Sequence, residues 1–405
     1  MATKSHWDTV TDVAPDTEFT GKDSLRICMA ISANGQVSVT GNPGDGVVRV
    51  LRLFPDSGWE ETASLSVDQE GPLQKSAFGT SVGISSDGTT IVVGDPDDDE
   101  RALHGGSAYV FTYRRGEWKL SGKFYPTDLH FAAKFGHSVS ISGDGKVVAV
   151  GAYMSSNSSD YAGDVYLLRK GLFGWDELCI LSPPVPRTGS FFGISVSLSF
   201  SGKELLVGAD GSERAYIYGT YDFSRWILIK ELVPTAKGKH NFTQFGASCA
   251  IAADGKSAVV SAHTEDIRQV IGAGAIYHYI SCRDQWVQRS KISLKNGKTL
   301  DYFGYNLDLS GDGSVLVVGG YASVVDGVCD RGGYVMRLES GGWELDRKIS
   351  PTDIKEDSVL SYVAAVDHSG ETVALARGVS TAPLEKNDLA SNLLRQQLKD
   401  KQRKA

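Results

Sequence analysis

The sequence predicts an all-β fold: a seven-bladed β-propeller of four-stranded antiparallel blades, closed by an N-terminal strand and followed by a C-terminal helical tail. Three observations predict it. Tryptophan recurs at Trp7, Trp59, Trp118, Trp175, Trp226, Trp286 and Trp343, at intervals of 51 to 60 residues, and a fixed period marks a repeat architecture. Glycine closes a short polar turn at Gly35, Gly88, Gly145, Gly202, Gly255, Gly313 and Gly370. Ten residues before each turn glycine stands an apolar anchor (Leu25, Phe78, Phe135, Phe192, Phe245, Phe303, Leu360), and six residues after it a small one (Gly41, Gly94, Gly151, Gly208, Ser261, Gly319, Ala376). Spacing that strict points to β-hairpins, because one inserted residue would turn every buried side chain to the wrong face.

The copy from Phe78 to Trp118 shows the elements of one blade. Thr80 to Ser85 alternate as a first strand, with Val82 and Ile84 on one face. Ser86-Asp87-Gly88 is the turn, since glycine takes the positive φ that hairpins need. Ile91-Val92-Val93 is β-branched and apolar, a buried second strand. Ala108-Tyr109-Val110-Phe111 is the third, and Gly116 turns the chain into a fourth opened by Trp118. A single such sheet cannot bury both its faces, whereas several packed around an axis can.

The chain divides into a propeller over 1–380, with blades starting near residues 25, 78, 135, 192, 245, 303 and 360, and a polar tail over 381–405. Trp7 to Val13 reads as a fourth-type strand that completes the last blade and closes the ring, so that no sheet edge is left open. Blade seven has a first strand near Tyr362 to Val366 and a second near Thr372 to Ala376, but no evident third. Three solutions remain: a three-stranded blade, a weak strand near Gly378 to Thr381, or a strand accepted from a partner.

The 405 residues, 41% of them hydrophobic, are enough to bury a large core without disulfides. The five cysteines are odd in number and lack metal-type spacing, which suits a reduced, cytoplasmic compartment. No secretory signal follows the N-terminus and no run reaches membrane-spanning length, so no membrane association is expected. A net charge of −8 argues against nucleic acid as a general partner. After Pro383 glycine disappears, and the tail reads as a polar helix with Leu389 and Leu393 on a thin apolar stripe and a basic end from Lys399 to Lys404. It is either a solvated helix or a docking element for a partner, including an acidic surface such as a tubulin lattice.

Phe78-Gly79-x-Ser81-Val82-x-Ile84-Ser85, then Asp87-Gly88, Val92-Val93-Gly94 and Ala108-Tyr109-Val110-Phe111, resemble FG-GAP repeats, and the stretch from Phe135 to Gly145 repeats the match. The resemblance extends over residues 7 to about 380, with Leu25 and Leu360 in place of phenylalanine in the outermost copies. It implies the seven-bladed form of integrin α heads. That family's repeats bind calcium through an Asp-x-Asp-x-Asp-Gly loop. Here turns such as Ser85-Ser86-Asp87-Gly88 hold a single carboxylate, too few oxygens for calcium.

Contacts are expected where the copies differ. The connections between second and third strands are long in blades two, three, five and six, and up-and-down connectivity places them on the same face as the inter-blade loops. The candidate interaction residues are Asp97, Asp98, Asp99, Tyr153, Asp160, Glu265, Asp326 and Asp330 on that face, with Leu389 and Leu393 in the tail. No catalytic constellation, cofactor motif or metal-ligand spacing stands out, and the scattered histidines and periodic tyrosines and tryptophans suit packing. The expected function is a non-catalytic protein–protein scaffold, a subunit of a large intracellular assembly of cytoskeletal or ciliary type. Its partners would be other proteins, met through the loop face, the blade-seven seam and the tail. The alternative is an extracellular adhesion or glycan-binding propeller of integrin-head type.

Overall fold

The computed structural model describes residues 10–12, 27–67, 76–128, 131–234, 242–283, 285–297, 301–319, 321–323, 333–349 and 359–380. Six consecutive blades, spanning 28–65, 81–124, 135–181, 195–232, 249–292 and 306–349, are each a four-stranded antiparallel sheet with strands in chain order. In blade two the strands are Ser81–Ile84, Thr90–Asp95, Ser107–Arg114 and Glu117–Phe124. Each blade has a register shift between its third and fourth strands, for example at Val110/Phe111 and Ile217/Tyr218. Such a bulge adds the twist by which the outer strand wraps its blade.

The repeat markers now have physical roles. Each anchor phenylalanine is fully buried and meets a third-strand tyrosine edge to face or tilted, as in Phe78–Tyr109 (5.3 Å), Phe135–Tyr166 (5.0 Å) and Phe245–Tyr277 (5.4 Å). The small residue lets adjoining blades touch: a Cβ on Gly94 would lie 1.8 Å from the Gly136 carbonyl oxygen of the next blade. The hydroxyls of Ser81 and Ser138 each donate across that joint, to Gly136 O and Gly193 O, both at 2.8 Å. Trp118, Trp175, Trp226, Trp286 and Trp343 pack against the preceding blade, Trp226 among blade-three residues and Trp286 among blade-four residues.

The first turns form a closed circle of backbone hydrogen bonds around the axis. Ala33 N donates to Ser86 O (3.1 Å), Ser86 N to Gly143 O (3.0 Å) and Gly143 N to Phe200 O (2.9 Å). Phe200 N donates to Ala253 O (3.0 Å) and Ala253 N to Gly311 O (2.9 Å). Asp312 N donates to His368 O, and His368 N back to Ala33 O, both at 3.2 Å.

The expectation of a seven-bladed propeller of four-stranded antiparallel blades with a helical tail is corrected. Six blades are complete. The remaining sheet is a composite, in the order Val10–Asp12, Val373–Ser380, Val359–Val366, Tyr321–Ser323. Its N-terminal strand lies in the third position, not the fourth, and runs parallel to its neighbour with Val10 opposite Val373. A third strand joined by a hairpin must run antiparallel, whereas one arriving from the other end of the chain carries no such constraint. Gly378 to Ser380 continue the second strand rather than starting a third. Tyr321–Ser323, from the second connection of blade six, crosses over to pair with the first strand of this sheet. The seam cores are small, Val315, Val317, Val335, Val366 and Val373 on one side and Ile27 with Val363 on the other. The described residues include no α-helix, only the 3-10 turn Asp210–Ser212. Trp7 and the tail 381–405 lie outside the described residues.

Candidate functional site

Two faces and a channel could carry function. On the loop face, the long second connections bond to the segments leading into the next blade: Phe135 N donates to Gly105 O (3.0 Å), Phe192 N to Ala162 O (2.9 Å) and Phe303 N to Ala273 O (3.3 Å). The two sets of loops therefore share one face, as the strand alternation implies.

Two of the acidic candidates on that face, Asp98 and Glu265, turn inward. Asp98 is 8% exposed and accepts from Ser107 Oγ (2.7 Å) and Tyr109 OH (3.0 Å), with Lys123 Nζ at 3.1 Å. Burial acts to raise its carboxyl, but the bonds from Ser107 and Glu100 N and the Lys123 charge outweigh it and hold the group below the usual carboxylate range. Glu265, 1% exposed, accepts from Tyr277 OH (2.9 Å) and Lys291 Nζ (2.8 Å). Blades two and five thus share one device: a third-strand tyrosine and a fourth-strand lysine clamp a carboxylate of the second connection. The signal was present in the sequence, since the tyrosine stands nine residues before the tryptophan and the lysine five after it in both copies.

The remaining candidates are dispersed. Asp97 pairs with Lys134, and Asp99 accepts from His104 N at 2.5 Å. Tyr153, in blade three, meets the His137 ring at a tilt (4.4 Å) and the Phe191 ring edge to face (5.8 Å). Asp160 is exposed, and its backbone carbonyl receives Gly189 N at 2.9 Å. Asp326, Asp330, Leu389 and Leu393 lie outside the described residues. The structure therefore brings together Asp97, Asp98 and Asp99 only, as one local cluster. It also buries Asp95 and Asp164, which the sequence reading had not singled out as structural: Asp95 accepts Ser76 Oγ (2.6 Å) and Ala77 N (2.8 Å), and burial pushes its carboxyl up to about 6.

The turn carboxylates do not fit calcium. Asp87 accepts Ser85 Oγ (2.6 Å), Thr89 N (3.0 Å) and Thr89 Oγ1 (2.9 Å), so its oxygens close their own turn, and Asp144 and Asp312 repeat the pattern. Among the described residues no three His, Cys, Asp or Glu side chains gather closely enough to hold a metal ion.

The channel is a cavity of about 430 Å³ lined by the first strands. Serines on one wall accept backbone N–H groups from the next: Leu198 N donates to Ser140 Oγ (2.9 Å) and Ile251 N to Ser197 Oγ (3.1 Å). At the seam an acid takes this place, Asp308 Oδ2 receiving Val366 N at 3.0 Å, and burial raises its carboxyl to about 6. At the turn mouth Phe200 and His368 face each other at 6.5 Å.

Burial keeps both buried histidines neutral. Trp343 Nε1 donates to His278 Nδ1 (3.1 Å), leaving Nε2–H for Ser257 Oγ (3.0 Å). That fixes a neutral tautomer, and burial, with Arg289 nearby, pushes the ring down to about 4. His263 is likewise pushed down to about 4 by burial. Among the described residues no helix is long and apolar enough to cross a membrane.

Comparison with known proteins agrees with this architecture. A family model described as FG-GAP repeat matches residues 59–111 and 118–168. The chain matches no curated protein sequence. Among solved structures it resembles the periplasmic gluconolactonase PpgL of Pseudomonas aeruginosa, with a TM-score of 0.50 and 15% identity over 86% of this chain and 93% of that one. It also resembles the Cps50 (Swd1) β-propeller domain of Myceliophteria thermophila, with a TM-score of 0.52 and 13% identity over 88% of this chain and 96% of that one. At these identities the likeness is one of fold.

Proposed function

The chain is an FG-GAP repeat β-propeller protein, and from that premise we propose that it is a non-catalytic protein–protein interaction scaffold. One observation carries the reading. Asp98 and Glu265, the buried acids of the loop face, are clamped by tyrosine and lysine, and His278 is locked as a neutral ring, so these groups serve the framework. Such clamps stiffen the loops that carry them, and a rigid disc with differing loops suits contact with several proteins at once. In this reading the chain is a subunit of a large intracellular assembly of cytoskeletal or ciliary type. It meets partners through the loop face, the seam beside the hairpin 359–380, and the tail 381–405.

Proximity labelling with the tagged full chain, and with a chain cut after residue 383, tests this. A stable partner set that loses members on truncation is expected. An absence of partners, together with saturable binding of sugar or calcium, would overturn the scaffold reading in favour of an adhesion-type propeller.

A further inference from the structure

The internal repeat is its own control for the turn face, which carries the first turns and the turns between third and fourth strands. At the latter, blade one has Pro55-Asp56-Ser57, blade two Arg115, blade five Arg283 and blade six Ser340-Gly341. Blade three instead has Leu172-Phe173 between two glycines, and blade four has Tyr221-Asp222-Phe223. Leu172 is 96% exposed, Phe173 fully exposed and Tyr221 90% exposed. The bias reaches inward: Phe200, half exposed, holds the first-turn position where blades one to three, five and six carry Ala33, Ser86, Gly143, Ala253 and Gly311. Single exposed apolar residues are ordinary, but large ones confined to two adjoining blades on one face mark a contact surface.

Charge narrows the occupant. Arg169 lies 4.5 Å from the Phe223 ring, Lys203 Nζ 5.6 Å from the Tyr221 ring and Lys170 Nζ 5.9 Å from the Trp175 ring. None of the three cations has a carboxylate within ion-pair distance among the described residues. Asp222, which accepts from Ser224 N (3.0 Å) and Oγ (2.6 Å), keeps its charge near Lys203, and Asp176 stands opposite Arg169, so they offset part of the positive charge. Three cations against these two carboxylates leave the apolar patch net positive on a chain of net charge −8.

We infer that the turn face of blades three and four docks an acidic protein segment that supplies an apolar socket for Leu172, Phe173 and Tyr221. This rests on the scaffold reading and adds the surface and the chemistry of the partner. The tips are convex and project from the turns, so the partner must provide the cavity. Arg169, Lys170 and Lys203 attract the acid and set the register, while the apolar tips hold the complex together.

A random peptide display library is selected against the purified full chain, and recovered peptides are measured by titration. Peptides pairing Asp or Glu with large apolar residues are expected. L172S/F173S should weaken them about tenfold or more, and K170E/K203E should abolish their salt dependence. Leu172 and Phe173 are exposed, and Lys170 and Lys203 are half-buried with no ion-pair partner to lose, so thermal melts of both variants should match the parent. Recovery of no acidic–apolar peptides, or binding indifferent to L172S/F173S, refutes the proposal. So does L172S/F173S-sensitive binding to phosphatidylserine–phosphatidylcholine vesicles, or sensitive self-association in sedimentation. If L172S/F173S leaves the proximity-labelled set intact, this surface is refuted while the scaffold reading stands.

Discussion

Replacing Gly94 by alanine tests the claim that the blades are held by backbone contact at their inner ends. The added Cβ would lie 1.8 Å from Gly136 O, 2.8 Å from Gly136 C and 2.4 Å from Ser81 Oγ. Reaching ordinary contact requires the joint between blades two and three to open by roughly 1.5 Å. Overpacking of this kind costs about 1–3 kcal/mol. The opening also stretches Ser81 Oγ–Gly136 O (2.8 Å), which contributes about 1 kcal/mol. The expected loss is therefore about 2–4 kcal/mol, read from urea denaturation midpoints at constant m. Blade five supplies the control. It carries Ser261 at the equivalent place, with Ser261 Oγ receiving Ser248 N at 3.0 Å. S261G should cost only about 1 kcal/mol, the value of that bond. If G94A falls within about 0.5 kcal/mol of the parent, the range of an ordinary surface substitution, the close-contact account of the joint is wrong.

Three further outcomes follow from the site geometry. Asp308, raised from its ordinary 3.8 to about 6, contributes stability that is full below about pH 4 and lost as the pH rises through 6. From pH 4 to 7.5, D308N should therefore gain on the parent by about 1–3 kcal/mol, the lower end reflecting channel water; a pH-independent difference would contradict the assignment. K291M leaves the Glu265 carboxylate buried beside Tyr277 without its cation. It should cost about 2–3 kcal/mol and speed amide exchange over 262–274, whereas the double variant K291M/E265Q should recover part of the loss. W343F strips His278 Nδ1 of its donor and should cost about 1–3 kcal/mol, with the His278 ring resonances moving although neither strand changes register.

The parts of the fold that repeat were readable, because they obey one geometry. Phe78, Gly94 and Trp118 recur at set spacings since each fills a place beside the axis or against the neighbouring blade that tolerates no insertion. The seam was not readable for the opposite reason. A three-residue parallel strand and a strand lent by the second connection of blade six follow no repeat, and neither is tied to its neighbour by a hairpin. The burial of Asp98 and Glu265 was not legible because a carboxylate looks the same in sequence whether it meets water or a tyrosine. Asp98 and Glu265 become internal only when the partners at Lys123 and Lys291 are placed beside them by the third and fourth strands. The apolar tips of blades three and four were visible as letters, but exposure cannot be read from a turn until its neighbours are known.

The circle of amide bonds through Ala33, Ser86, Gly143, Phe200, Ala253, Gly311, Asp312 and His368 works like the hoop of a cask. Its circumference can change only by a whole stave, so the number of hairpins around the axis is inherited as an integer. Everything outside the hoop is free to vary continuously. The same chain can therefore lengthen a connection, lose an outer strand or borrow one from a neighbour without altering the diameter of the ring.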